Sequence, residues 1–257
     1  MHSVIQHILA RKGCEKPPQD GRKIALVLFG GAMSGVQGAG ALAALDDLGL
    51  RNAFDDIYAS SAGVPNAGYF LTGEIRKGET IYYENLSGRQ FINFFTPWRI
   101  ANISHLTNTL ENIKKLNVEE IAQSATRLHI WLKNIDTGKE GLLPFSGANE
   151  GELYQLLRSA VSMPYFSPGS GKYHGNRYKD GMQYRKQFLP AVIQSAQATD
   201  ILILYNRPDQ KMLNIVGDNI FEVMPEKPIN WMQTNPKEVF AAARRMEDQV
   251  RKIFTEQ

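Results

Sequence analysis

The six residues IALVLF, Ile24 to Phe29, run straight into GGAMSGVQGAG. An unbroken apolar run of this length, closed by glycines, is a strand covered on both faces, and such strands belong to parallel sheets. The small residues that follow read as a helix packed hard against that sheet and ending at Gly49. The same grammar recurs along the chain. DDIYAS is a strand leading into a helix over AGVPNAGYFLTG, and EIRKGETIYYENLSGRQ is helical. A helix precedes a strand over Leu128 to Asn134, a DTGKE turn and a further strand. ANEGELYQLLRSAV is a helix stopped by Pro164, and ATDILILYNRP carries another buried strand. The last segment puts Val239, Phe240, Ala243, Met246, Val250 and Ile253 on one face of an amphipathic helix. Alternating strands and helices with no linker between them predict one α/β domain with a mostly parallel sheet. Residues 1–22 form a lead-in helix and turn, and 23–257 the domain.

Bulk properties narrow the function classes. A chain of 257 residues with 43% hydrophobic and 21% charged residues is an ordinary globular one with a substantial core. Its formal charge of +3 permits an anionic surface such as a membrane, and nothing in the charge pattern asks for nucleic acid. Cys14 is the single cysteine, so an intrachain disulfide and multi-thiolate zinc sites are excluded. The first residues are too short an apolar run for a signal peptide, and no later stretch would span a bilayer. A cytoplasmic protein is the expectation, with peripheral membrane contact and effector-type secretion as open alternatives.

The chemistry gathers around ASSAG. Ser61 stands two residues after Ala59 and two before Gly63, one substitution away from the G-x-S-x-G nucleophile elbow. Ser60 lacks a glycine at its own plus-two position. A serine at a small-residue turn also serves as a helix cap, and this stretch by itself does not separate the two readings. The loop from Gly30 to Gly35 offers backbone N–H groups beside that turn, as a phosphate cradle or as an oxyanion hole. No Gly-Lys-Ser/Thr ending and no G-x-G-x-x-G is present, and glycines in the next helix also fit close packing. A serine nucleophile needs a base. Of the five histidines, only His174 could follow an acid such as Asp136 in α/β-hydrolase order, and His129 falls inside a strand. Asp180, in a Gly-flanked turn, is a carboxylate candidate, although Asp-Gly is also common turn chemistry.

The ordered set resembles the patatin-like phospholipases: a strand into a Gly-Gly loop, a small-residue helix, a strand into Ser-Ala-Gly, the DTG turn, RSAVSMPYFSP, and Asp-Gly. The similarity runs from about Ile24 to Arg207. It implies a three-layer α/β/α sandwich with a mostly parallel central sheet, and a Ser–Asp dyad without histidine. By the resemblance Ser61 is the nucleophile, in an elbow framed by Ala59 and Gly63. Asp180 is the base, followed by Gly181, and Gly30, Gly31 and Ala32 form the oxyanion hole. No cofactor or metal is implied, and the substrate is a lipid or other carboxylic ester. The chain departs from the family pattern at four places. Ala32 replaces a third glycine, Ser34 an arginine or lysine, Ala59 the first elbow glycine, and Met182 a glycine after Asp-Gly. A fold-retaining lipid-binding protein with weakened or lost catalysis is the alternative. The aromatic stretch RQFINFFTPWRI reads either as core packing or as an apolar cap that meets the bilayer.

Overall fold

A computed structural model of the chain describes residues 1–88, 91–92, 101–147, 149–162, 170–181, 185–211 and 217–256. Strand β1 (Ile24–Leu28) lies at the centre of a mixed sheet and is buried throughout. It pairs in parallel with β2 (Asp56–Ala59) on one side and with β7 (Asp200–Leu204) on the other. Beyond them, β3 (Arg127–Asn134) runs parallel to β2, and β8 (Ile220–Val223) parallel to β7. Three antiparallel strands complete the sheet. β4 (Glu140–Pro144) folds back on β3 across the DTGKE turn, β6 (Asn176–Asp180) joins β3, and β5 (Gly171–Tyr173) joins β6. The order is β5-β6-β3-β2-β1-β7-β8, with β4 also on β3.

Successive side chains of a strand point to opposite faces, and the core divides accordingly. Ile24, Leu26 and Leu28 join the larger cluster, whereas Ala25, Val27 and Phe29 join a second one. The larger face is covered by α2 (Gly35–Asp47), α3 (Gly63–Leu71), α7 (Glu150–Val161) and α9 (Pro236–Thr255). The other is covered by α8 (Arg185–Ala196) through Phe188, Leu189 and Val192. This is the α/β/α sandwich that the resemblance implies, on the mostly parallel sheet that the alternation predicts. The lead-in helix α1 (Ser3–Ala10) also buries Val4, Ile5 and Ile8 in the larger cluster.

Close packing explains the small residues of α2. A methyl group at Gly40 would come within 2.3 Å of the Ala243 carbonyl oxygen, so α9 approaches α2 only because no side chain intervenes. On α9, Val239, Ala243, Met246 and Val250 are buried as the spacing predicts. Phe240 is instead 45% exposed, edge-on to Tyr83 at 5.2 Å and beneath Arg244. The helix is fastened by ion pairs as well as by its apolar face. Glu247 receives Arg76 of α4 (Ile75–Thr80) at 2.6 Å together with Arg244 and Arg251, and the buried Glu79 receives Arg244. Burial opposes the charge on Glu247, but the bonds from Arg76 and Arg251 outweigh it and hold the carboxyl at about 2. Among the described residues no helix is long and apolar enough to cross a membrane.

Candidate active site

The carboxyl end of β2 sets the first residue in place. Ser60 continues the ladder, its N–H donating to the Leu28 carbonyl at 3.1 Å, and α3 begins with Gly63 N–H on the Ser60 carbonyl. The reversal between strand and helix falls on Ser61, which takes a φ of +50°. A non-glycine residue in that region costs about 1–3 kcal/mol and is held there only by its surroundings. Gly63 is required sterically, since a methyl group there would lie 2.8 Å from the Leu28 carbonyl oxygen. Ala59 is fully buried and its methyl is accommodated.

The two serines have different partners. Ser60 Oγ accepts the Gly30 N–H at 3.3 Å, whereas Ser61 lines a pocket. The Gly30 loop crosses directly beside Ser61: a methyl group at Gly30 would sit 2.3 Å from Ser61 Cβ and 3.0 Å from its Oγ. Beyond Gly30 the backbone turns sharply, with φ of 145° at Gly31 and 48° at Ala32. Ala32 thus adopts the conformation that alanine takes only at a cost of about 1–2 kcal/mol. Among the described residues no hydrogen bond takes up the N–H of Gly31 or of Ala32. Ser34 is fully buried, and its hydroxyl and N–H both donate to the Gly31 carbonyl, at 2.8 and 3.0 Å. In place of the family's cation the chain has a clasp that closes the loop on itself.

Two residues that the sequence reading passes over hold the loop from behind. Asn206, just past β7, donates through Nδ2 to the Phe29 and Gly30 carbonyls at 2.6 and 2.9 Å and accepts the Gly38 N–H at 2.8 Å. Gln210 Nε2 also donates to the Gly30 carbonyl at 2.8 Å, while its oxygen accepts the Asn206 N–H. Their one sequence signal is Asn206 directly after the buried strand ILILY, with Gln210 four residues further on.

Asp180 reaches the same region through strand pairing. β2 faces residues 127–130 of β3 and β6 faces 132–134, while β4 faces 129–133 and overlaps both. A strand has only two edges, so β2 and β6 lie end to end along the edge opposite β4. Ala59 stands across from Ile130 and Asp180 across from Leu132, about 7 Å apart along the strand. Asp180 is fully buried and its N–H donates to the Ser162 carbonyl at 3.3 Å. Gly181 packs on Trp131, whose indole ring would be 2.6 Å from a methyl group there and whose Nε1 donates to the Gly181 carbonyl. Met182 lies outside the described residues.

The pocket that Ser61 and Ala32 line has an empty volume of about 500 Å³ up to its open mouth. Its walls are apolar, with Ile81, Leu86, Phe91, Leu106, Leu110 and Val161 among them. The polar groups in the wall satisfy one another. Tyr82, whose phenol burial pushes well up, donates to Asn66 Oδ1 at 3.0 Å, and Asn66 Nδ2 donates to the Gly35 carbonyl. Phe91 and Ile92 are buried, but the rest of the aromatic stretch from Arg89 to Ile100, Trp98 included, lies outside the described residues.

Histidine is absent from the pocket's lining. His129 bonds Asp56 at 2.9 Å at the far end of β3 and stacks on Tyr58. His174 is exposed on the β5–β6 turn, and Asp136 receives the Arg177 side chain at 2.7 Å. The order serine, Asp136, His174 therefore has no spatial counterpart here.

Among solved structures, VipD from Legionella pneumophila superposes with a TM-score of 0.53 at 10% identity, over 91% of this chain and 66% of that one. The type III effector protein ExoU gives 0.44 at 14% identity, over 94% and 54%. ExoU in complex with SpcU from the type III secretion system of Pseudomonas aeruginosa gives 0.42 at 15%, over 92% and 52%. The likeness to VipD is one of fold, and the chain spans between half and two thirds of the length of these proteins. No curated protein sequence matches it significantly. The family model of the patatin-like phospholipases matches residues 26–192, from β1 through the glycine loop and the Ser61 turn to beyond Asp180. That match covers more than half of the chain, and the protein belongs to the patatin-like phospholipase family.

Proposed function

We propose that the chain is a serine acyl hydrolase that cleaves carboxylic esters of lipids through Ser61 and Asp180. The Asp180 carboxylate takes the Ser61 hydroxyl proton as Oγ adds to the ester carbonyl. The tetrahedral oxyanion is held by the Gly30–Ala32 backbone, with the N–H groups of Gly31 and Ala32 as donors and Gly30 supplying clearance. Collapse breaks the ester bond, Asp180 returns its proton to the departing alcohol, and the acyl group stays on Ser61. Water, deprotonated by Asp180, then releases the acid. The apolar pocket takes the acyl chain.

The observation that carries this reading is Ser61 held at φ +50° between a strand and a helix, beside two unclaimed N–H groups and open to an apolar pocket. The fall of Asp180 on the same edge of β3 supports the base assignment. The single sheet from β1 to β8 supports reading residues 23–257 as one domain, and the lead-in of residues 1–22 packs α1 against its core.

Turnover of a short-chain p-nitrophenyl ester tests it. Ser61→Ala and Asp180→Asn should each remove at least 10³-fold of kcat with the fold intact. Wild-type turnover in either variant would refute the dyad. With a carboxylate as base, activity should persist at mildly acidic pH, where a histidine base would be protonated.

A further inference from the structure

A second cavity, separate from the one at Ser61, opens between α9, the first turn of α2 and the segment after β8. Its empty volume is about 600 Å³ with its open mouth included, and it shares no lining residue with the Ser61 pocket. Gln37 lines it from α2 and is 1% exposed. Its oxygen accepts the Ile229 N–H at 2.8 Å, which fixes the amide's orientation and leaves Nε2 buried without a hydrogen-bond partner among the described residues. Arg245 lines the same cavity from α9, and its Nε and Nη2 are likewise buried and unpartnered.

These two guanidinium nitrogens form one side of the planar group, the fork that grips two oxygens of a single oxyanion. Burying that fork empty is costly, because a guanidinium gives up strong hydration on leaving water. Its neighbours on α9 show the usual remedy. Arg244 is paired with Glu79 and Glu247, although its Nε is also buried without a hydrogen bond among the described residues, and Arg251 is paired with Asp47 and Glu247. Among the described residues Arg245 has no such carboxylate. Lys227 and Lys252 stand at the cavity's exposed rim, outside any ion pair among the described residues, with Glu226 and Asp248. Counting Arg245, three cations face two carboxylates.

We propose that this cavity binds a phosphate-type oxyanion, carried by a small phosphorylated molecule or by a phospholipid headgroup. A side-chain shift on binding turns the buried Arg245 Nε and Nη2 to the cavity as the fork and opens Gln37 Nε2 as a third donor, while Lys227 and Lys252 supply the attracting field. An arginine is suited to this role because its fork matches two phosphate oxygens, whereas a lysine offers a point charge.

The test uses the full chain with Ser61→Ala, so that binding is read without turnover. Inorganic phosphate is titrated against chloride at matched ionic strength, following the melting temperature and the heat of binding. In parallel, vesicles of phosphatidylcholine with and without phosphatidic acid are co-sedimented with the protein. A small-molecule site predicts saturable stabilisation by phosphate, and a headgroup site predicts sedimentation only with phosphatidic acid. In either case Arg245→Met abolishes the effect, and Arg245→Lys, which keeps the charge and loses the fork, weakens it about tenfold or more. Gln37→Glu keeps the acceptor for Ile229 while opposing an anion, and should weaken it also. Without ligand, Arg245→Met should melt no lower than the parent, since it removes an unpaired buried group. Failure of both probes to bind, binding undiminished in Arg245→Met, or a large loss of melting temperature in that variant would overturn the proposal. None of these outcomes bears on ester turnover.

Discussion

The two ends of the central strands treat their polar groups in opposite ways. At the amino ends, charges are buried and paired. Asp56 is fully buried and receives Lys23 at 3.2 Å, Arg127 at 2.9 Å and His129 at 2.9 Å. Burial alone would raise its pKa, but the His129 bond and the charges of Arg127 and Lys23 lower it. Asp200 receives His7 at 2.7 Å, and the buried Arg11 bridges Asp20, Asp55 and the Ala53 carbonyl. At the carboxyl ends the backbone is strained at Ser61 and Ala32, the N–H groups of Gly31 and Ala32 are unclaimed among the described residues, and an apolar pocket opens. One end spends its polar groups on holding the sheet. The other keeps them free at the place where open α/β sheets bind their ligands.

The sharpest way to break this contrast is a matched pair of substitutions. Ser61→Gly removes the proposed nucleophile and relieves the positive φ. It should lower ester turnover by at least 10³-fold while raising stability by about 1 kcal/mol. Asp56→Asn should do the reverse, costing about 3–5 kcal/mol in urea unfolding because it leaves buried cations under-compensated. Its kcat on a soluble ester should stay within about twofold, since a change at the far end removes nothing from the transition state. A Ser61→Gly protein that melts lower, or an Asp56→Asn protein that folds normally without turnover, would erase the distinction.

A smaller effect belongs to Glu247. Its carboxyl is depressed to about 2 from an ordinary 4.5, so its contribution is complete above about 4.5 and is lost as the pH falls towards 2. The shift corresponds to at most about 3 kcal/mol. Denaturant unfolding of the wild type between pH 5 and pH 2.5 should show this decline, and Glu247→Gln should flatten it. A parallel decline in both proteins would place the acid sensitivity elsewhere.

Asn206 refines the other end of the comparison. Asn206→Ala leaves the Phe29 and Gly30 carbonyls and the Gly38 N–H short of a buried partner. The glycine loop should then hold its N–H groups less well, reducing kcat by about 10²-fold with little change in KM. Stability should fall by about 2 kcal/mol. An equal loss in Asn206→Ala of soluble-ester binding and of turnover would make the residue structural only.

Much of this arrangement is legible in the sequence, for reasons that differ along the chain. Ile24–Phe29, the Ser61 turn and Asp200–Leu204 announce themselves because fully buried strands and small-residue turns have strong local patterns. The antiparallel return of β6 is not visible in that way. Asp180 stands out in the sequence only through the ordered motifs and the want of a late histidine, since Asp-Gly is also turn chemistry, and its place on the edge that β2 occupies comes from long-range pairing. β8 is half-buried and carries no alternation to betray it. Asn206 and Gln210 escape notice because a single polar residue after a strand has no periodicity. Ser34 is legible only as a missing cation, and its role as a clasp on Gly31 emerges from packing.

The smallest expected effect concerns Ala32. Ala32→Gly restores the residue suited to φ 48° and should stabilise the protein by roughly 0.5–1 kcal/mol, with turnover within about threefold of the parent. A destabilised Ala32→Gly would mean that the methyl packs usefully in the pocket wall.

The central claim is that Ser61, activated by Asp180, is the nucleophile. Its most direct test is mass-spectrometric mapping of the adduct formed with a fluorophosphonate probe. The account predicts a single adduct on Ser61, formed at least 10²-fold more slowly in Asp180→Asn than in the parent. An adduct on Ser60, or a folded protein that the probe leaves unmodified, would contradict it.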